Sequence, residues 1–381
     1  YRKRRCCDLS YRGSALSRKC FTRAYSRCTD ATSGLVGRPL IALIGALSLV
    51  GAMAAYGLYA SWQQPLKLQP EGAVLTIRPG ESLHQVLRGL ANQGWITRAR
   101  WVGVIAQGFG LDKQIKAGEF FIESQMTVAE LLMRLAKGEV LQYSVTLPEG
   151  ITLGEALSLL HGHDKLTQTA PAALALWLRE MSAGADTAEG WFLPETWSFT
   201  AGDRDVDILI RSHDAMQRLL AQLWAERDLD MPLQSPYEAL TLASIVEKET
   251  GVPDERQQIA GVFLRRLAKG MRLQTDPTVI YGLGDQYDGN LRRKHLRDRT
   301  NIYNTYAIPG LPPTPIALPG EAALRAVFSP DRSDTLYFVA KGDGTHAFSR
   351  SLAEHEQAVR RYQLSRRADY QSSPQAPSPQ H

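Results

Sequence analysis

The segment YEALTLASIVEKETGVP (residues 237–253) carries Glu247 and Glu249 two residues apart, and their places on a helix decide what each could do. At about 100° per residue, Leu242, Ile245, Val246 and Glu249 fall in one narrow sector. Glu247 falls on a flank beside Leu240, Ala243 and Ser244, and Lys248 points away. Glu249 therefore extends the apolar stripe, in the last turn, because Gly251 and Pro253 stop the helix. Partial desolvation raises a carboxyl pKa, and the negative end of the helix dipole acts in the same sense. A glutamic acid kept protonated near neutral pH is what general acid catalysis requires. The plain alternative is an ion pair with Arg256 or another nearby cation, which would lower the pKa instead. This helix alone does not separate the two.

Neighbouring segments add polar groups of the kind a sugar would meet. In GMRLQTDPTVIYGLG, the side chains of Gln274, Thr275 and Asp276 interrupt an apolar run just before Pro277. In YNTYAIPGLPPTPIALPG, Tyr303, Asn304, Thr305 and Tyr306 precede a proline-rich loop that loses little entropy on binding. Upstream, GWFLPETWSF sets Trp191, Phe192, Trp197 and Phe199 around Pro194 and Glu195. Aromatic faces beside amides and carboxylates suit the C–H faces and hydroxyls of a glycan. The competing role for these rings is core; Phe192 and Phe199 are assigned to it, while Trp191 and Trp197 stay open.

These residues need elements to hold them. AVLTIRPGESLHQVLRGLANQGWI reads as strand, Pro79–Gly80 turn and a helix capped by Ser82, with Leu83, Val86, Leu87 and Leu90 inward. A helix follows over residues 98–107, with Trp101, Val104 and Ile105 lining one face. A strand over residues 118–122 and a helix over 127–136, capped by Thr127, complete a small α+β module at residues 73–143. The larger unit, residues 144–364, repeats strand–turn–helix around Pro148 and Gly150. It continues with helices over 167–187, 208–226, 236–250 and 254–269, the last capped by Asp254 and closed by Gly270. A hairpin (TLYFVAKG and THAFS) and a helix over 352–364 end it. The fold class is α+β.

Length and charge set the frame. With 381 residues, 44% hydrophobic and 22% charged, the chain is long enough for two or three folded units. Its net charge of +5 belongs to residues 1–38, where ten Lys/Arg face Asp8 and Asp30. The remainder is slightly acidic, which excludes a general nucleic-acid footprint. Residues 39–60 hold no charged side chain and are long enough to span a bilayer. A cleaved signal peptide would have a shorter apolar region, although Ala54 and Ala55 leave room for cleavage. Basic residues before the span predict a cytoplasmic N-terminus, an inner-membrane anchor and a periplasmic body joined by a linker at 61–72. Cys6, Cys7, Cys20 and Cys28 all precede the span and have a poor metal spacing, so the exported part has neither disulfides nor a cysteine nucleophile. The chain opens on Tyr1 with no Met before Met53, and its first 35 residues are given little weight. The Gln-, Ser- and Pro-rich tail at 365–381 is expected to be disordered.

LASIVEKET, GMRLQTDPTVIYGLG, YNTYAIPGLPP and GWFLPETW, in this order of argument, together resemble the MltG (YceG-like) endolytic murein transglycosylases, over roughly residues 40–365. The resemblance implies one N-terminal span, a LysM-like module and a catalytic domain. It places the family's essential glutamate, the second of the EKET stretch, on Glu249. It also implies a lyase that cuts the β-1,4 bond between N-acetylmuramic acid and N-acetylglucosamine within a strand. Glu249 would protonate the leaving oxygen, then take the proton of the muramic C6 hydroxyl, which closes onto C1 as a 1,6-anhydro end. Such chemistry needs one carboxyl rather than a flanking pair. Substrate contacts would fall to Gln274, Thr275, Asp276, Tyr303, Asn304, Tyr306, Trp191, Trp197 and Glu195. Peptidoglycan strands are the implied partner, beside penicillin-binding synthases, with no cofactor. The basic, cysteine-bearing N-terminus departs from the family pattern.

Other signals carry less. His161-Gly162-His163 lacks a third ligand at helical spacing, so no metal is expected. GLGDQYDG and KGDGTH lack the strand–glycine–helix context and lysine of phosphate loops. His346 and Phe348 are left open as cleft residues, and RRKHLRDR (residues 292–299) is a basic patch on a loop. Two rivals remain: a tethered glycan-binding scaffold without activity, and a muramidase using water with Asp276 or Glu195 as second carboxylate.

Overall fold

The computed structural model describes residues 37–182, 184–185 and 187–364. The cysteine-bearing basic tail and the tail from residue 365 on lie outside the described residues. The chain divides into two compact units.

The first comprises the residues up to Gly72, Ser82–Ile115 and Glu123–Ala136. Its first helix, α1 (Gly37–Trp62), contains an apolar run, Leu40–Trp62, long enough to cross a membrane. None of the most apolar stretch of that run is buried. Helix α2 (Leu83–Asn92) starts in a capping box between Ser82 and Gln85 and buries Leu83, Val86, Leu87 and Leu90, as its period requires. Downstream, after the strand described below, Thr127 and Glu130 cap each other reciprocally at the head of a third amphipathic helix, Val128–Lys137. That helix buries Val128, Leu131, Leu132 and Leu135.

Between these lies α3 (Ala99–Gly108), whose larger apolar residues do not face the interior. Val102, Gly103 and Ala106 are buried, whereas Trp101 and Val104 are 49% and 62% exposed. The small side chains let α3 lie close to α1 and α2: a Cβ on Gly103 would stand 3.5 Å from Leu87 Cδ1. The large apolar residues are left facing outward.

The second unit comprises Ala73–Glu81, Lys116–Ile122 and the chain from Lys137. Here β1 (Ala73–Ile77) pairs antiparallel with β2 (Gly118–Ile122), Ala73 opposite Ile122. Glu119 of β2 ties this ribbon to its unit, accepting from Tyr143 Oη at 2.5 Å and Lys165 Nζ at 3.0 Å. These bonds hold its carboxyl below the usual range. Counting the Val128–Lys137 helix as α4, the next elements are β3 (Gln142–Thr146), α5 (Leu153–His161), α6 (Pro171–Met181) and β4 (Thr196–Thr200). β4, which the sequence reading treated only as an aromatic cluster, pairs antiparallel with β3, with Trp197 opposite Val145.

The core is helical. Helix α7 (Asp205–Ala225) precedes α8 (Pro236–Glu249), which Ser235 caps and Pro236 opens. α8 is buried at every position from Ala239 to Val246, not only along one stripe. Around it pack α7, α9 (Arg256–Ala268), α10 (Asp276–Leu283) and, after a short α11 (Arg293–Arg297), α12 (Glu321–Phe328). α12 carries no separate signal beyond its eight residues after a proline-rich loop, yet Ala323, Leu324, Ala326 and Val327 are all buried. Asp254 does not cap α9. It lies in a 3-10 turn, Pro253–Glu255, and the helix begins without a side-chain cap. The hairpin of β5 (Tyr337–Ala340) and β6 (His346–Ser349) supports α13 (Leu352–Val359), which runs on into a wider turn through Leu364.

Candidate active site

Glu249 is the last residue of α8, and Thr250 beyond it is already extended. The residue is half-buried, and its carboxyl receives the hydroxyl of Thr275. Burial pushes its pKa up to about 7; the Thr275 bond opposes this, and the nearby Asp276 charge reinforces it. The Arg256 alternative fails on geometry. Arg256 reaches Glu247 and Glu149 instead, each at 3.6 Å. Glu247 also accepts from the Gly320 amide at 2.9 Å, so the flank carboxylate is the one spent on structure.

A small threonine network fixes the donor. Thr275 N donates to Thr305 Oγ1 at 3.0 Å, Gln274 N to the Thr305 carbonyl at 3.2 Å, and Thr278 Oγ1 lies 2.9 Å from Thr305 Oγ1. Thr275, Thr278 and Thr305 are buried. Gln274 turns the chain into this network with φ +53, in the left-handed region that non-glycine residues rarely occupy. Asp276, exposed at the start of α10, accepts from Tyr306 Oη at 2.7 Å. Burial and that carboxylate push the Tyr306 phenol up, so it stays a donor. Thr275, Asp276 and Tyr306 thus gather around Glu249, with the backbone of Gln274 making the turn into the network.

Arg266 belongs to this group although the sequence reading passed over it. It is buried, holds the carbonyls of Leu336 and Leu273 at 2.7 Å each, and acts electrostatically on both Glu249 and Tyr306. A signal existed: Arg266 follows Ile259, Val262 and Phe263 at seven, four and three residues, so a charge occupies a core position of α9.

Residues 75–361 match the family model described as the YceG-like family. The chain belongs to the YceG-like family. It is 36% identical over 174 residues to the endolytic murein transglycosylase of Bacillus subtilis, covering 46% of this chain and 48% of that one. With the endolytic murein transglycosylase of Streptococcus pneumoniae it shares 28% over 290 residues, 64% of this chain and 50% of the relative. The chain therefore spans about half the length of the curated relatives it matches. A crystal structure of a YceG-like protein from Listeria monocytogenes is 29% identical, with a TM-score of 0.49 over 76% of this chain and 99% of that one.

The remaining expected contacts of this YceG-like chain are used elsewhere. Asn304 is fully buried, and its amide donates to the carbonyls of His295, Leu296 and Asp298 while its oxygen accepts from Tyr306 N. It pins the basic stretch, which forms α11 and lines a cleft of about 470 Å³ with Arg292, Lys294 and Arg297. Tyr303 gives its hydroxyl to a 2.8 Å contact with Thr314 and its ring to Tyr281 at 4.9 Å. Trp191 is buried and stacked on Tyr237, which makes it core. Trp197 is half-buried with its indole nitrogen enclosed, and Glu195 is exposed, accepting from Thr196 N. His346, left open above, is buried against Glu255 at 2.7 Å. His161 faces Asp205, and His163 packs edge-on against Phe199.

A second acid went unnoticed in the sequence. Glu189 is 4% exposed, accepts from Leu153 N at 2.8 Å and Tyr281 Oη at 3.2 Å, and is pushed up to about 7 by burial. It precedes the GWFLPETW stretch, where the aromatic pattern draws attention away from a carboxylate one residue upstream.

Proposed function

We propose that the chain is an endolytic lytic transglycosylase that cleaves peptidoglycan strands at the β-1,4 bond after N-acetylmuramic acid, with Glu249 as acid and then base. The observation that carries this reading is a half-buried glutamic acid whose pKa is raised to about 7 and which, among the described residues, has no ion pair and a single hydroxyl donor. Protonated, it gives its hydrogen to the leaving glycosidic oxygen; ionised, it takes the C6 hydroxyl proton as that oxygen closes onto C1. Atoms balance without water: one C–O bond breaks, one forms within the sugar, and the proton returns to Glu249. The names of the curated relatives support murein as substrate. Gln274, Asp276 and Tyr306 are the substrate contacts we favour.

The same reading carries α1 as a single-pass inner-membrane anchor with a cytoplasmic N-terminus, the catalytic unit at 144–364 in the periplasm, a LysM-like module at 73–143 and a cell-wall synthase as neighbour. A second reading, hydrolysis by water with Asp276 as the other carboxylate, draws on the Asp276 charge beside Glu249. Mass spectrometry of fragments released from purified glycan strands tests both. Anhydro ends lost in Glu249→Gln support the lyase; reducing ends support the hydrolase; products unchanged in Glu249→Gln sink the role of this residue.

A further inference from the structure

On α3, Trp101, Val104, Ile105 and Gly108 share one face, since they stand three, four and seven residues apart. That face holds the helix's largest apolar side chains and is turned outward, while its small residues face in. Phe109, just beyond the helix, is 66% exposed and lies tilted against Trp62 with ring centroids 5.5 Å apart. Trp62 is the last residue of the apolar run of α1, and α3 packs directly on α1. Helix, aromatic bridge and apolar span thus form one continuous apolar surface within one compact unit.

An inverted amphipathic helix leaves its apolar face in water unless something covers it. We infer that the outward face of α3 lies in the interface of the bilayer that α1 crosses, with Trp101, Val104 and Phe109 dipped to the level of Trp62. Lipid is the occupant for three reasons. The face continues the surface that α1 presents to acyl chains, and aromatic rings settle where hydrocarbon meets headgroups. In the chain flanking it, Arg98, Arg100 and Lys113 outnumber Asp112, the balance that anionic headgroups attract. This second contact stops the unit from pivoting freely about α1. The inference rests on α1 being a membrane anchor.

The test uses the full chain with Cys6, Cys7, Cys20 and Cys28 changed to Ser and one new spin-labelled cysteine at a time. Val104→Cys and Phe109→Cys report α3, Leu47→Cys reports α1, and Arg88→Cys reports the exposed polar side of α2. In phosphatidylethanolamine–phosphatidylglycerol vesicles, labels at 104 and 109 should collide with oxygen several-fold more than with a nickel chelate, as at 47, while 88 shows the reverse. Nickel access at 104 and 109 with 47 in lipid overturns the inference. Shielding of 104 and 109 from both reagents also overturns it, because a protein then covers the face. A label at 47 open to nickel removes the anchor itself, and the inference with it.

Discussion

Glu249 and Glu189 are two glutamates whose pKa values burial lifts to the same region, about 7, yet they are built for different ends. Glu189 is closed in: a backbone amide at the start of α5 and the Tyr281 phenol occupy both its oxygens. Glu249 ends its helix, receives one side-chain hydroxyl and remains partly open. A shifted pKa therefore marks desolvation, and desolvation serves a clamp as readily as a catalyst. Access to the proton and a free oxygen distinguish the acid that can act. Glu247 completes the lesson, since burial raises it too, but Arg256 and the Gly320 amide commit it to holding α8 in place.

The contrast breaks most sharply if both acids are changed to amides. Glu249→Gln should cut strand cleavage by about 10²–10⁴-fold, the usual worth of general acid–base catalysis, with thermal stability retained. Glu189→Gln should leave kcat/KM within a few-fold. Equal losses in a timed assay of released fragments would erase the distinction.

The next effect is on stability against pH. A carboxyl raised in the folded state keeps its proton after the unfolded chain has lost one. Stability is then full below the unfolded value of about 4.5 and is lost as pH climbs through about 7. For Glu189 the loss is at most about 3 kcal/mol. Denaturant titrations from acid to neutral pH should show this decline, and Glu189→Gln should remove its share, leaving the part that Glu249 contributes. Activity should fall as pH rises through about 7 in wild type, because the acid form of Glu249 starts the reaction.

Thr275→Val sharpens the comparison from the other side. The Thr275 bond lowers the Glu249 pKa, so its loss should move the basic limb of the pH–rate profile upward. It should also cost roughly tenfold in kcat, about one hydrogen bond to a charged group, and Thr275→Ser should restore both. An unchanged profile would remove Thr275 from the site.

The smallest effect concerns Gln274. Gln274→Gly relieves a left-handed conformation worth about 1–2 kcal/mol. About 0.5–1 kcal/mol of this is returned to the looser unfolded chain. The melting temperature should rise by about 2 °C or less. A fall would mean the Gln274 side chain holds the turn itself.

Local order was legible from the chain. The stripes of α2 and the Val128–Lys137 helix, their caps at Ser82 and Thr127, the β5–β6 hairpin and the end of α8 at Glu249 all follow from period and punctuation within a few residues. On α3 the same rule finds the face of Trp101, Val104 and Ile105, but period identifies an apolar face without saying whether protein or something else covers it.

By itself, the sequence determined that a glutamate sits at a helix terminus beside apolar residues, with threonine, aspartate and tyrosine segments available to meet it. The tertiary structure decided the partners: Thr275, 26 residues away, rather than Arg256 for Glu249, carbonyls rather than a ligand for Asn304, and a core position for Trp191. The reason is physical. Helical period is written in neighbours three and four places apart, whereas the dielectric and hydrogen bonds around a carboxyl come from elements that only folding brings together.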